Sequence, residues 1–357
     1  MPNNATDPVL DTLFLPFDSG LIDWPANGPA LYLRARTGDA LDPVPRHKLV
    51  CEQSFKPAHD ALLRSGFAMR GTEAPSALTL VLPPRQREEY RALLARALKE
   101  TAPGGIVMAA VSNNEGAKTV ENDLKALAGN ISSLSKNKCR VFWATVDAAR
   151  ADKALIDAWA ALDRPRDIED GQFMSRPGLF AWDHLDAGSK LLVDHLPINL
   201  KGKVADLGAG FGYLSDEVLT KNPGITHLDV IEAEQRALDM AKHNLETYGA
   251  RVAFHWLDAT RDLPDTYDAI ISNPPFHVAD RADRHDIGKA FITSAAKSLT
   301  SGGQLWIVAN RHLPYEDTLE VSFKHVSLVA QNNFYKVFKA VGPKGKTKTR
   351  DETRDET

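Results

Sequence analysis

Two stretches of the chain combine residue types and spacings suited to chemistry. The first is Lys203-Val-Ala-Asp-Leu-Gly-Ala-Gly-Phe-Gly-Tyr-Leu-Ser215, an apolar run with Asp206 near its end and glycines at 208, 210 and 212. A short apolar run of this kind reads as a buried strand. The glycines let the following turn approach a ligand closely, at the strand ends where polar ligands sit in α/β sheets. The second is Asp268-Ala-Ile-Ile-Ser-Asn-Pro-Pro-Phe-His277, another apolar strand that runs into an Asn-Pro-Pro-aromatic turn.

The glycine turn selects the kind of ligand. A dinucleotide fingerprint wants GxGxxG, but Tyr213 stands where its third glycine belongs, and no Lys-Ser/Thr follows to make a P-loop. The pattern Gly208-Ala209-Gly210-Phe211-Gly212 suits a ligand without a pyrophosphate, such as S-adenosylmethionine. Such a cofactor needs an acidic side chain at the tip of the next strand to accept from its ribose hydroxyls. Asp229 and Glu232 both qualify, and Glu232 is preferred because helix 234–247 follows it directly. Asp258 ends the strand after that and is placed to take the adenine amino group. Asp206 is expected either to order the glycine turn or to meet the methionine end of the cofactor.

The Asn273-Pro274-Pro275-Phe276 turn supplies the other half. An exocyclic amino group on a base is a weak nucleophile, because its lone pair is delocalised into the ring. The side-chain oxygen of Asn273 and the backbone oxygen of Pro274 are expected to accept its two hydrogens and hold the nitrogen towards the methyl donor. The two prolines stiffen the turn. Phe276 offers a flat face for a base drawn out of its stack, and His277 would approach base or phosphate, or cap the next helix. As turn chemistry alone, Asn-Pro-Pro with a core phenylalanine would also make sense; the glycine turn upstream is what argues for a site.

Those two stretches require a parallel sheet. Strands and helices alternate through strand 203–207, helix 213–221, strand 226–231, helix 234–247, strands 251–256 and 268–272, helix 285–299 and strand 304–309. Val326–Ala330 and Tyr335–Val341 then form an antiparallel hairpin at the sheet edge. The N-terminal half repeats the layout: strand Leu78–Pro84, helix, Gly104-Gly105, strand, against strand Asp268–Pro275, helix, Gly302-Gly303, strand. Its turn reads Leu82-Pro-Pro-Arg85, and no glycine-rich turn precedes it. The expected architecture is therefore α/β, with tandem Rossmann-like domains: a degenerate one over 9–162, a linker over 163–174, a catalytic one over 175–342, and a disordered tail over 343–357. Ordinary similarity among strand–helix–strand units is the competing account of the repeat.

With 357 residues the chain has room for two cores, and 43% apolar and 25% charged residues are ordinary for a water-soluble fold. The net charge of -4 argues against adhesion to nucleic acid by bulk charge, though a local basic surface such as Lys136, Lys138 and Arg140 remains available. Cys51 and Cys139 are far apart and outside any CxxC pattern, so no metal site is expected and both read as core thiols. No apolar run reaches membrane-spanning length and residues 1–7 do not resemble an export signal, so the expected location is the cytoplasm.

Val204–Ser215 together with Ser272–His277 closely resembles the guanine-N2 methyltransferases of bacterial ribosomal RNA. Pro177–Gly188, Ile307–Tyr315 and Phe334–Ala340 agree with the same family. The likeness is strong across 175–341 and weak across 9–150, where that family carries a degenerate copy of its catalytic fold. The resemblance implies S-adenosylmethionine as cofactor, held by Asp206, Gly208, Ala209, Gly210, Gly212, Glu232 and Asp258, with Asp186 in the segment lining its site. It implies that Asn273, Pro274, Pro275 and Phe276 hold the guanine, with His277 and Arg311 on the substrate side. The implied partner is ribosomal RNA, within the 30S subunit or an assembly intermediate, and a monomer is the default. Leu313-Pro-Tyr315 and Phe334–Val337 lean towards the 16S branch, Asn310-Arg-His312 and Asn332-Asn333 towards the 23S branch. Adenine-N6 and protein glutamine-amide methylation use the same tetrapeptide and stay open, as does a non-catalytic role in ribosome assembly.

Overall fold

The computed structural model describes residues 7–71, 75–275 and 281–345. It contains two compact units, one built mainly from residues up to Asp183 and the other from His184 onward, with Glu234–Arg236 grouped with the first.

The first unit opens with α1 (Pro8–Asp18). Five strands then lie parallel to one another: β1 (Ala30–Leu33), β2 (Leu49–Glu52), β3 (Ala68–Met69), β4 (Ser76–Val81) and β5 (Thr101–Ser112). The connections include α2 (Lys56–Arg64) and α3 (Arg87–Glu100), and α4 (Ala117–Ala128) leads to the antiparallel pair β6 (Ser132–Lys136) and β7 (Cys139–Thr145). The strand order is β3-β2-β1-β4-β5-β7-β6. Apolar residues cover both faces, Leu31, Leu33 and Val81 on one and Tyr32, Leu80 and Met108 on the other, which is why these strands read as continuous apolar runs rather than alternating ones. The basic stretch at 136–140 is a hairpin turn in which Asn137 and Lys138 both have positive φ, and Arg140 is paired with Glu121 at 2.9 Å. After α5 (Lys153–Ala160), the stretch expected to link the two halves forms a small antiparallel pair, β8 (Arg166–Ile168) with β9 (Phe173–Ser175).

The second unit begins with α6 (Ala187–His195) and continues β10 (Gly202–Leu207), α7 (Tyr213–Lys221), β11 (Ile225–Glu232), α8 (Gln235–Asn244), β12 (Val252–Trp256), β13 (Tyr267–Ser272), α9 (Arg281–Ser298), β14 (Leu299–Asn310), α10 (Glu316–Ser322), β15 (Phe323–Gln331) and β16 (Tyr335–Pro343). Its order, β12-β11-β10-β13-β14-β16-β15, is that of the first unit strand for strand. The expected hairpin is present, with β15 at the edge and β16 inside it against β14. Lys344 is still tied to the fold through its backbone N–H on Ser322, and positions 346–357 of the expected tail lie outside the described residues.

Because the two sheets share one order, their central strands can be compared residue by residue. Leu33 pairs with Glu52 and Val81, and Leu207 pairs with Ile231 and Ser272. Aligning those registers sets Tyr32 against Asp206, Arg34 against Gly208, Arg36 against Gly210, Gln53 against Glu232 and Leu82 against Asn273. Gln53 still reaches back to its own turn, donating to the Ala35 carbonyl at 2.7 Å, as Glu232 serves the Gly210 turn. The scaffold is duplicated; the residue types suited to ligand chemistry stand in one copy.

Candidate active site

The central strand β10 ends at Leu207, and the chain turns through Gly208 and Gly210 at φ 73° and 58° before α7 starts. Those left-handed angles favour glycine. A Cβ on Gly210 would meet nothing within 4 Å, so the turn presents bare backbone to open space. Glu232 ends the neighbouring strand β11, and its Oε2 accepts from the Gly210 N–H at 2.8 Å. The carboxylate is thereby held beside the turn, as a ribose acceptor must be.

Asp206 lies wholly buried beneath the same turn. Its Oδ2 accepts from the Ser215 hydroxyl at 2.7 Å, which ties the strand to α7, while Oδ1 has no hydrogen-bond partner among the described residues. Burial pushes its carboxyl up to about 7, with the nearby Glu232 charge adding to the effect and the Ser215 bond opposing it. Of the two roles expected for Asp206, the Ser215 bond favours ordering the turn. Asp258 is occupied locally: Oδ1 accepts from the Thr260 backbone and hydroxyl, and Oδ2 from Arg261 at 3.2 Å. Asp229, the alternative to Glu232, is engaged within the sheet by His227, His255 and Tyr267. Burial works against its charge, but the His255 and Tyr267 bonds outweigh it and hold the carboxyl down at about 2.

Beside β10, β13 delivers Asn273 one residue past its last paired position, and the Ser272 hydroxyl donates to the Leu207 carbonyl at 2.8 Å to lock the two strand ends together. Asn273 is 7% exposed. Its Nδ2 donates to Asp186 Oδ2 at 2.9 Å and to Ser189 Oγ at 2.7 Å. Asp186 is the N-cap of α6 and accepts from the Ser189 backbone N–H as well. A carboxylate accepts and cannot donate, so the Asn273 amide must turn its nitrogen to Asp186. Oδ1 is left buried, with no hydrogen-bond partner among the described residues. Such an atom in a low-dielectric site favours a donor from a ligand. Pro274 is buried and Pro275 exposed. Phe276 and His277 lie outside the described residues.

Sequence reasoning missed Ser189, Ser215 and Ser272. The Asp186-Ala-Gly-Ser189 spacing is a capping pattern that points to the first of them. Gly188 lets α6 meet β16 closely, since a Cβ there would lie 2.9 Å from the Tyr335 ring. Arg311 is exposed after β14 and is joined to the β15–β16 turn by its backbone N–H on the Phe334 carbonyl at 2.7 Å. No group of three or more His, Cys, Asp or Glu suited to a metal occurs among the described residues.

Residues 170–339 match the family model described as methyltransferase small domain. The chain is 34% identical over 251 residues to a ribosomal RNA small subunit methyltransferase C of Shewanella halifaxensis, covering 69% of this chain and 71% of the relative. A protein of the same name from Shewanella loihica is 30% identical over 294 residues, with 80% and 83% covered. In fold, the chain is similar to a T. thermophilus 16S rRNA N2 methyltransferase solved in complex with AdoMet and guanosine. The TM-score is 0.77 at 23% identity, covering 95% of this chain and 93% of that one.

Proposed function

Because the chain belongs to the family of ribosomal RNA small subunit methyltransferase C, we propose that it methylates the exocyclic N2 amino group of a guanosine in 16S rRNA, with S-adenosylmethionine as donor. The observation that carries this reading is the Asn273 amide: its nitrogen is committed to Asp186 and Ser189, so a buried carbonyl oxygen remains as an acceptor at the strand end next to the glycine turn.

S-adenosylmethionine supplies an electrophilic methyl group on a sulfonium. Gly208, Ala209, Gly210 and Gly212 with Glu232 are the residues that would hold it, with Asp206 ordering their turn. The bare backbone over Gly210 and the carboxylate already beside it fit that cofactor. Asn273 Oδ1 accepts one hydrogen of the target amino group and the Pro274 carbonyl the other. The two bonds would fix the nitrogen's direction and stabilise the positive charge it gains as the new C–N bond forms and the methyl–sulfur bond breaks, its electron pair staying on sulfur as a thioether. Neither acceptor is a base at neutral pH, and none is needed: a methylated, cationic exocyclic nitrogen is acidic enough to lose its proton to solvent. Phe276 would stack on the base.

The 30S subunit or an assembly intermediate in the cytoplasm is the proposed setting, with the protein acting as a monomer. Among the described residues, no helix is long and apolar enough to cross a membrane. The test is methyl transfer from labelled S-adenosylmethionine to naked 16S and 23S RNA, 30S particles and protein, followed by nucleoside mass spectrometry. N2-methylguanosine in 16S RNA is the expected product. Label in N6-methyladenosine, in 23S RNA alone or in glutamine would overturn the reading in favour of the corresponding rival.

A further inference from the structure

The cleft beyond the catalytic turn has features that the methyl-transfer reading does not use. Asn310, Arg311 and His312 on one side and Asn333, Phe334 and Tyr335 on the other line a surface cleft of about 530 Å³, within the size range of small-ligand sites. Phe334 is 72% exposed at its mouth. An aromatic ring so open to water contributes little to the core, yet its backbone is tightly fixed. The Asn332 side chain accepts from the N–H groups of Phe334 and Tyr335 at 2.8 and 2.7 Å, the Asn332 N–H donates to the Tyr335 carbonyl at 2.9 Å, and Arg311 N–H holds the Phe334 carbonyl at 2.7 Å. The Arg311 side chain forms no ion pair among the described residues and is exposed. The cleft therefore offers an exposed aromatic face on a fixed backbone, a cation with no ion pair among the described residues, and amide groups able to bond base edges.

A relay of contacts links the cleft to the proposed catalytic position. Tyr335, next to Phe334, lies against Gly188; two residues before Gly188, Asp186 binds the Asn273 amide. We infer that this cleft receives the nucleotide adjacent to the target guanosine, its base stacked on Phe334 and its phosphate met by Arg311. The inference rests on the RNA-methyltransferase reading above and extends it. Flipping one base out of a strand leaves its neighbour unstacked on one face, and the exposed Phe334 ring replaces the lost partner. Sequence-tolerant stacking of this kind is worth about 1–3 kcal/mol per base, which corresponds to roughly 5- to 150-fold in affinity.

The experiment compares the full-length wild type with Phe334→Ala, Phe334→Trp and Arg311→Ala on an RNA fragment containing the methylated site, and on the same fragment with an abasic residue on either side of the target. The expected result is a roughly 5- to 150-fold rise in KM for intact RNA in Phe334→Ala, with kcat and S-adenosylmethionine affinity unchanged. Phe334→Trp should stay near wild type. On one of the two abasic fragments, wild type and Phe334→Ala should become equal, because the stacking partner is already gone. Arg311→Ala should raise KM on both intact and abasic RNA and flatten its dependence on salt. A wild type that methylates the fragment while Phe334→Ala matches it, or loses equally on intact and both abasic RNAs, overturns this inference and leaves the catalytic reading standing. A wild type that transfers no methyl group to any RNA overturns both.

Discussion

The Nδ2 of Asn273 and the Oδ2 of Asp186 are 2.9 Å apart, and the carboxylate is at the same time the N-cap of α6. One side chain thus does two jobs, and they can be separated. Asp186→Ala should cost about 1 kcal/mol of stability through the lost cap and slow methyl transfer roughly 10- to 100-fold, the worth of one hydrogen bond to a charged group. Asp186→Ser should restore the cap without reaching the amide, so stability recovers and rate does not. Thermal melts beside single-turnover rates make the comparison; joint recovery of both would show that Asp186 acts on α6 alone.

Asn273→Ala removes the acceptor itself. A loss of about 10²–10³ in single-turnover rate at saturating RNA is expected, with S-adenosylmethionine affinity nearly intact. Near-normal turnover in this variant would make the Asn-Pro-Pro turn merely structural.

The cofactor side is tested by Gly210→Leu and Glu232→Ala. The first places a side chain over the open face of the turn and strains a φ of 58°; the second removes the acidic group beside it. Calorimetric titration should find weaker S-adenosylmethionine binding in both, with each variant still folded. Unchanged affinity in both would refute the assignment.

Asp206 gives ligand-free protein a distinct pH dependence. Its carboxyl is raised from 3.8 to about 7 in the folded unit, so between those values the folded state holds a proton that the unfolded state has lost. The associated stability is fully present below about 4, declines as pH rises through the window and is gone above about 7. Melting of the ligand-free protein at pH 5 and pH 8 should show the decline in the second unit's transition, and Asp206→Asn should flatten it. An equal slope in the variant would place the effect elsewhere.

Asp229 runs the opposite way. Its carboxyl is held down at about 2, so its contribution is present above about 4 and is lost as pH falls towards 2. Tyr267→Phe removes the buried hydroxyl that donates to Asp229 Oδ2 at 2.7 Å. It should destabilise the protein by about 1–3 kcal/mol at pH 7, measured by urea unfolding; no change would mean the carboxylate finds another donor.

The parallel strands were legible because their burial on both faces leaves nearly unbroken apolar runs, as in Ala205-Asp-Leu207 and Ala269-Ile-Ile271. The twin turns 82–85 and 273–276 were legible as punctuation. β6, Ser132-Ser-Leu-Ser-Lys136, was not, because an edge strand with a mostly exposed surface carries no apolar signal. α1 carries a weak helix signal, because Pro16 lies inside it; its start is fixed by the Asp7 cap and Pro8. Gly104-Gly105 and Gly302-Gly303 suggested turns, yet both pairs sit inside long strands at register shifts. At the site, residue types announced the glycine turn and Asn273, while the orientation of the Asn273 amide depended on Asp186, 87 positions away. A separation of that size has no local signature.

The place of β16 inside its sheet has a consequence for synthesis. Chains emerge from the ribosome in order, and domains fold as they become complete. The first sheet has all seven strands once Thr145 has been made. In the second, β16 fills the gap between β14 and β15 and carries the Tyr335 that lies against α6. Until residues 335–343 have been translated, β14 presents an open edge and β15 has no neighbour to pair with. The second half therefore passes through a stage as a nascent chain with an unpaired strand edge, after every strand of the first sheet has been made.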